Sequence, residues 1–147
     1  MGVPAVTMTS HGPLWDRMDA QPRRRANEIT GRDVPLDPGV YAWYRRGRAV
    51  YVGKADCLHD RAWKNHMGQS ATMGTSAFRR NVAESLGFGS SADINEKRVR
   101  LTPDELAAVR AWVLGCSVAW VTCPSKAAAV SLETRMKAEW KPPLTKR

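Results

Sequence analysis

Four side chains in this sequence, Tyr41, Tyr51, Arg61 and Glu133, are of the types and order that could break a phosphodiester bond. Hydrolysis of such an ester needs a water and a group that takes its proton. It also needs positive charge against the charge building on phosphorus, and help for the leaving oxygen. Glu133 can hold Mg²⁺ or Mn²⁺, a hard cation that keeps several waters and binds through one or two carboxylates plus the substrate phosphate. Arg61 offers a planar fork matched to phosphate oxygens. A tyrosine accepts a proton near neutrality only if a cation lowers its pKa from about 10, and Lys54 or the metal is expected to do so. Taken singly, each residue has an ordinary use. A strand tyrosine belongs to an apolar face, Glu133 can pair with Lys137 one turn on, and Arg61 can be a solvated helix charge. Only the ordered set points to catalysis.

The elements that must position these groups are legible in part. Val40 to Arg45 is rich in Val, Tyr and Trp, Arg46-Gly47-Arg48 offers a turn, and Ala49 to Val52 resumes the pattern, which predicts an antiparallel hairpin carrying both tyrosines. Asp56 is expected to cap a helix running to about His66, with Arg61 on it. Gly68 to Ser76 reads as a polar loop, Ala77 to Leu86 as a short basic helix, and Gly87 to Asp93 as another loop. Thr102-Pro103-Asp104-Glu105 combines an N-cap threonine, proline at the first helical position and glutamate three residues past the cap, so a helix should run to Leu114. Ser117 to Thr122 alternates as a strand. Ser125 can cap a last helix bearing Leu132, Glu133, Met136 and Trp140, ended by Pro142-Pro143. Before the turn cluster Asp37-Pro38-Gly39 lies a polar, basic leader, residues 1–37, expected to be helical only in part. Residues 38–147 form the patterned body.

The succession Gly39-Val40-Tyr41, Tyr51-Val52-Gly53-Lys54, Arg61 ten residues after Tyr51, and Glu133 resembles the signature of the GIY-YIG nucleases. The stretch from Glu133 through an apolar helix to Pro142-Pro143-Leu144-Thr145 is similar to that family's C-terminal pattern, and the likeness covers roughly Pro38 to Thr145. The resemblance implies a mixed α/β domain with a small three-stranded, mainly antiparallel sheet flanked by helices. It also implies one divalent metal and cleavage to a 3′-hydroxyl and a 5′-phosphate. Carried over, Tyr41 would be the general base, Tyr51 would orient water or phosphate, and Lys54 would lower the tyrosine pKa, although the two tyrosine roles could be exchanged. Arg61 would clamp the scissile phosphate, His66 resembles a histidine often found after that arginine, and Glu133 would bind the metal. Thr145 stands where many members of that family have asparagine; a hydroxyl cannot reproduce the two-ended hydrogen bonding of an amide.

Composition fits a polyanionic partner. Lys plus Arg number 23 against 14 Asp plus Glu, a net charge of +9, in a chain of 147 residues. Arg45, Arg46, Arg48, Arg79, Arg80, Lys97, Arg98 and Arg100 are candidates for phosphate contacts to DNA, expected to be double-stranded, with Trp43 or Trp63 available for stacking. Two copies could meet on the substrate. No run of 18 apolar residues and no signal peptide are visible, so a cytoplasmic protein is expected. Cys57, Cys116 and Cys123 lack CxxC spacing, and with His11, His59 and His66 they make no structural zinc pattern. Two further readings stand beside the nuclease: a nucleic-acid-binding module of the same fold with little or no catalysis, and a membrane-surface protein. The second is disfavoured because no helix sets a basic face against a large apolar one.

Overall fold

A computed structural model describes residues 10–65 and 76–146. In chain order its elements are α1 (Pro13–Asp19), β1 (Arg24–Arg25), a 3₁₀ turn (Gly31–Asp33), β2 (Gly39–Arg45) and β3 (Arg48–Ala55). A π-helical turn (His59–Asn65) follows, then α2 (Ala77–Ser85), α3 (Ser91–Asn95), α4 (Pro103–Leu114), β4 (Ser117–Thr122) and α5 (Lys126–Glu139). The architecture is mixed α/β, as expected.

The hairpin forms where the sequence predicts it. Arg46 and Gly47 turn the chain with φ of 53° and 79°, the positive values that a two-residue turn matching strand twist requires. From that turn Arg45 pairs with Arg48 and Tyr44 with Ala49, but the register then shifts, so that Trp43 faces Tyr51 and Tyr41 faces Gly53. The bulge residue is Val50. Its effect is large because side chains alternate between faces: a one-residue slip sends every later side chain to the other side. Without the bulge, Tyr51 would face away from Tyr41. With it, both tyrosines join Trp43 on one face.

That face, with Ala55, Leu58, Phe78, Val82, Val109, Val113 and Val118, makes one core beneath α2 and α4. The opposite face carries Val40, Ala42, Tyr44, Val52, Ala119 and Val121 against α1 and α5. The sheet has four strands in the order β1-β4-β2-β3, all antiparallel, rather than the three expected. The extra strand comes from the leader, where Arg24 and Arg25 pair with Val118 and Ser117.

The described part of the leader therefore joins both cores, Ala26 and Val34 in the first and Trp15 and Met18 in the second. Trp15 and Met18 of α1 are fully buried, and the Trp15 indole donates to the carbonyls of Met136 and Trp140, both at 2.9 Å. Gly12 offers no capping side chain, and the first amides of α1 are instead taken by the Glu139 carboxylate, at 3.1 Å from Leu14 N and 3.2 Å from Trp15 N.

Other local expectations divide by how local their causes are. The Thr102/Glu105 capping box closes reciprocally, at 3.1 and 2.9 Å, and α4 ends at Leu114 as predicted. Ser125 caps α5 through Ala128 N at 3.0 Å. Asp56 caps nothing: the amides of Leu58 and His59 are taken by the carbonyls of Asp37 and Pro35, each at 2.9 Å, and the chain there winds into a π-helical turn. The segment read as a loop after Gly87 contains α3, capped by Ser90. Apart from Ser76, the expected loop Gly68 to Ser76 lies outside the described residues, as does His66. No helix among the described residues is long and apolar enough to cross a membrane.

Candidate active site

The two tyrosine hydroxyls lie together under the sheet. The rings of Tyr41 and Tyr51 stack at 6.2 Å between centroids, 30° apart. Room for the Tyr41 hydroxyl comes from Gly53, the residue opposite it across the ladder: a Cβ there would sit 2.5 Å from the Tyr41 Oη. Gly53 is thus required by a close approach, a role the sequence left open between strand end and motif residue. Its signal was present in the register, but only after the bulge is counted.

A hydrogen bond joins the two hydroxyls. Burial is the largest influence on both and pushes both up, Tyr41 well above its usual value. The charges acting on the pair come from distant parts of the chain. Arg61, on the π-helical turn, lowers both, and Glu133, on α5, raises both. Arg80 of α2 also lowers Tyr51. Four residues separated by up to 92 positions, from Tyr41 to Glu133, therefore share one electrostatic environment.

Glu133 is largely buried, and Lys137 pairs with its Oε1 at 3.1 Å. As a hard oxygen donor beside two phenols it suits Mg²⁺ or Mn²⁺ in the sparse manner of that ion, one carboxylate with waters and a substrate phosphate supplying the rest. Among the described residues no group of three His, Cys, Asp or Glu side chains converges.

Lys54 does not serve the tyrosines. It pairs with Val40 in the ladder, so alternation sends its side chain to the opposite sheet face, where it is exposed. Thr145 does structural work: its Oγ1 accepts from the Val52 amide at 3.0 Å, while Leu144 N donates to the Val50 carbonyl at 2.9 Å. The C-terminal segment therefore clips onto the outer edge of β3 on either side of Tyr51. Asn81 of α2 holds it from the other side, its Nδ2 donating to the Leu144 carbonyl at 2.8 Å.

The remaining basic candidates scatter. Arg46 and Arg48 are exposed at the hairpin end, and Arg45 stacks over Trp112 at 4.3 Å while donating to its carbonyl at 3.2 Å. Arg98 is already paired with Asp93 at 2.9 Å and with Glu96, next to exposed Lys97 in a left-handed conformation, φ 63°. Arg100 is exposed, Arg80 is half-buried beside Tyr51, and Arg79 is buried. Trp43 cannot stack on a base: it is fully buried, parallel to Phe78 at 5.0 Å. Trp63 is partly buried against His59, with ring centroids 5.1 Å apart.

In comparisons with known proteins, the chain matches no family model, no curated protein and no solved structure.

Proposed function

We propose that the chain is a metal-dependent endonuclease of the GIY-YIG type that hydrolyses phosphodiester bonds in DNA. The observation that carries this reading is the joined hydroxyl pair of Tyr41 and Tyr51, on which the charges of Arg61 on the π-helical turn and Glu133 on α5 both act. Such a set meets each demand of the reaction: a proton acceptor, a cationic phosphate clamp and a carboxylate for the metal.

Within this reading Tyr51 is the better base and Tyr41 the positioning residue. Tyr51 is less enclosed and is lowered by two arginines instead of one. Tyr41, wedged against Gly53, holds the orientation of its neighbour's lone pairs. Arg61, exposed on its turn, would clamp the scissile phosphate. Glu133 would hold the Mg²⁺ or Mn²⁺, which when bound supplies positive charge to the phosphate and further lowers the phenol pKa. Lys137 pairs with the Glu133 carboxylate one helical turn away.

Arg61→Ala should lower the rate of duplex cleavage by about 10²–10³-fold with thermal stability unchanged, the usual cost of losing one transition-state donor. An unaltered rate in the folded variant would remove Arg61 from the mechanism.

A second reading, a nucleic-acid-binding module with the same fold and little catalysis, draws on one observation: burial keeps both phenols protonated in the absence of a metal. It requires salt-sensitive DNA binding that is indifferent to metal, with no cleavage. Cleavage of both strands by paired copies belongs to the nuclease reading and is tested by the protein-concentration dependence of linear product.

A further inference from the structure

Among the described residues, Arg79 is a charge with no ion-pair partner. The residue is 2% exposed, and among the described residues no carboxylate forms an ion pair with its guanidinium. Its charged neighbour is another cation, Arg110 of α4, and burial and that charge both push its pKa down. An arginine does not escape by deprotonating, as a lysine would, so the positive charge stays. A buried charge with a like-charged neighbour is destabilising unless an anion meets it, and among the described residues no carboxylate does.

The setting of Arg79 supplies the rest of an anion site. It is the third residue of α2, a nine-residue helix whose first turn contains no acid and whose N-cap, buried Ser76, accepts from the Arg79 amide at 3.1 Å. That end of a helix carries partial positive charge and unsatisfied amides, and the Cα–Cβ bonds of helical residues tilt toward it. Acidic residues are what a helix ordinarily places there, yet α2 has Arg79 and Arg80 in sequence. Helix α4 packs against α2, with Trp112 edge-on to Phe78 at 6.2 Å, and brings Arg110 alongside. Arg80, the next residue, acts on Tyr51 and so ties this cluster to the candidate active site.

We infer that the N-terminal turn of α2, with Arg79 and Arg110, binds a phosphate group, separate from the one Arg61 would clamp. The identity of that group as a second phosphate of the nucleic-acid strand being cut rests on the nuclease reading. The anion site itself does not.

The test uses the full chain in EDTA, with inorganic phosphate as the probe and sodium chloride at matched ionic strength as the control. Phosphate should raise the Tm of the wild type and of Arg61→Ala alike, by about 2–4 °C near saturation, and should leave Arg79→Met unmoved. Without phosphate, Arg79→Met should melt no lower than the wild type, because the replacement removes an uncompensated charge and keeps the volume. An equal phosphate shift in Arg79→Met, or a shift lost only in Arg61→Ala, would overturn the site; the second result would leave the catalytic reading standing. Should Arg79→Met fail to fold, Arg110→Gln decides: a diminished shift supports the site and an undiminished one refutes it. To separate strand from free phosphate, duplex binding without metal is measured against salt. Loss of about one unit of log–log slope in Arg110→Gln assigns the phosphate to the strand, and an unchanged slope overturns that assignment.

Discussion

The hydroxyls of Tyr41 and Tyr51 are the same chemical group in two settings, and the difference decides which can take a proton. Tyr41 is buried and enclosed by Gly53; Tyr51 is less enclosed and feels both Arg61 and Arg80. Because burial and Glu133 hold the Tyr51 pKa above its usual value, the basic form grows as pH rises through neutrality. The account therefore expects log kcat/KM to climb by about one unit per pH unit above pH 7, until it levels at the pKa that Tyr51 has with metal bound. Tyr51→Phe should abolish the climb, whereas Tyr41→Phe should lower the rate and keep the slope. A slope lost in Tyr41→Phe and kept in Tyr51→Phe would reverse the assignment. At this scale the sequence was informative about residue types and order. It failed on Lys54, whose charge was assigned to the tyrosines although an odd separation from Tyr51 along a strand puts it on the other face.

Elements, more than residues, explain why the site exists. The hairpin could be read from Val, Tyr and Trp around a Gly-containing turn, but its bulge at Val50 could not, and only the bulge brings the two tyrosines to one side. The C-terminal segment braces that irregularity, with Leu144 bonded to Val50 and Thr145 to Val52, the two neighbours of Tyr51. Thr145→Val keeps the shape and leaves the buried Val52 amide unsatisfied. It should cost about 1–3 kcal/mol in urea unfolding and lower kcat with little change in KM. No change in stability would mean that the clip does not hold β3. Capped helices such as α4 were legible because Thr102, Pro103 and Glu105 act within one turn. The π-helical turn was not, because the groups that take its first amides, the Asp37 and Pro35 carbonyls, sit about twenty residues upstream.

For the whole molecule the chief surprise is the leader. A stretch that reads as polar and basic hides apolar side chains, among them Trp15 and Met18, spaced to sit on one helix face, and it finishes the sheet with two arginines whose β-propensity alone would not make a strand. Such pairing depends on the open edge of β4, a partner more than ninety residues away that no local pattern announces. Trp15→Ala should cost about 3–5 kcal/mol, seen as a lowered urea midpoint, since it empties the space between α1 and α5 and removes the donor to Met136 and Trp140. A loss within 0.5 kcal/mol would mean that the leader is peripheral after all. The net charge of +9 then falls on a body whose two cores are separated by one sheet, with the tyrosine pair between β2, β3 and the helices above them. The claim that this pair is a metal-dependent nuclease centre is tested most directly by incubating supercoiled plasmid with the purified chain in Mg²⁺, in Mn²⁺ and in EDTA, beside Glu133→Gln prepared identically. The account predicts nicked or linear plasmid with either metal, none in EDTA, and none from the variant. Intact plasmid under every condition, or cleavage by Glu133→Gln equal to that of the wild type, would contradict it.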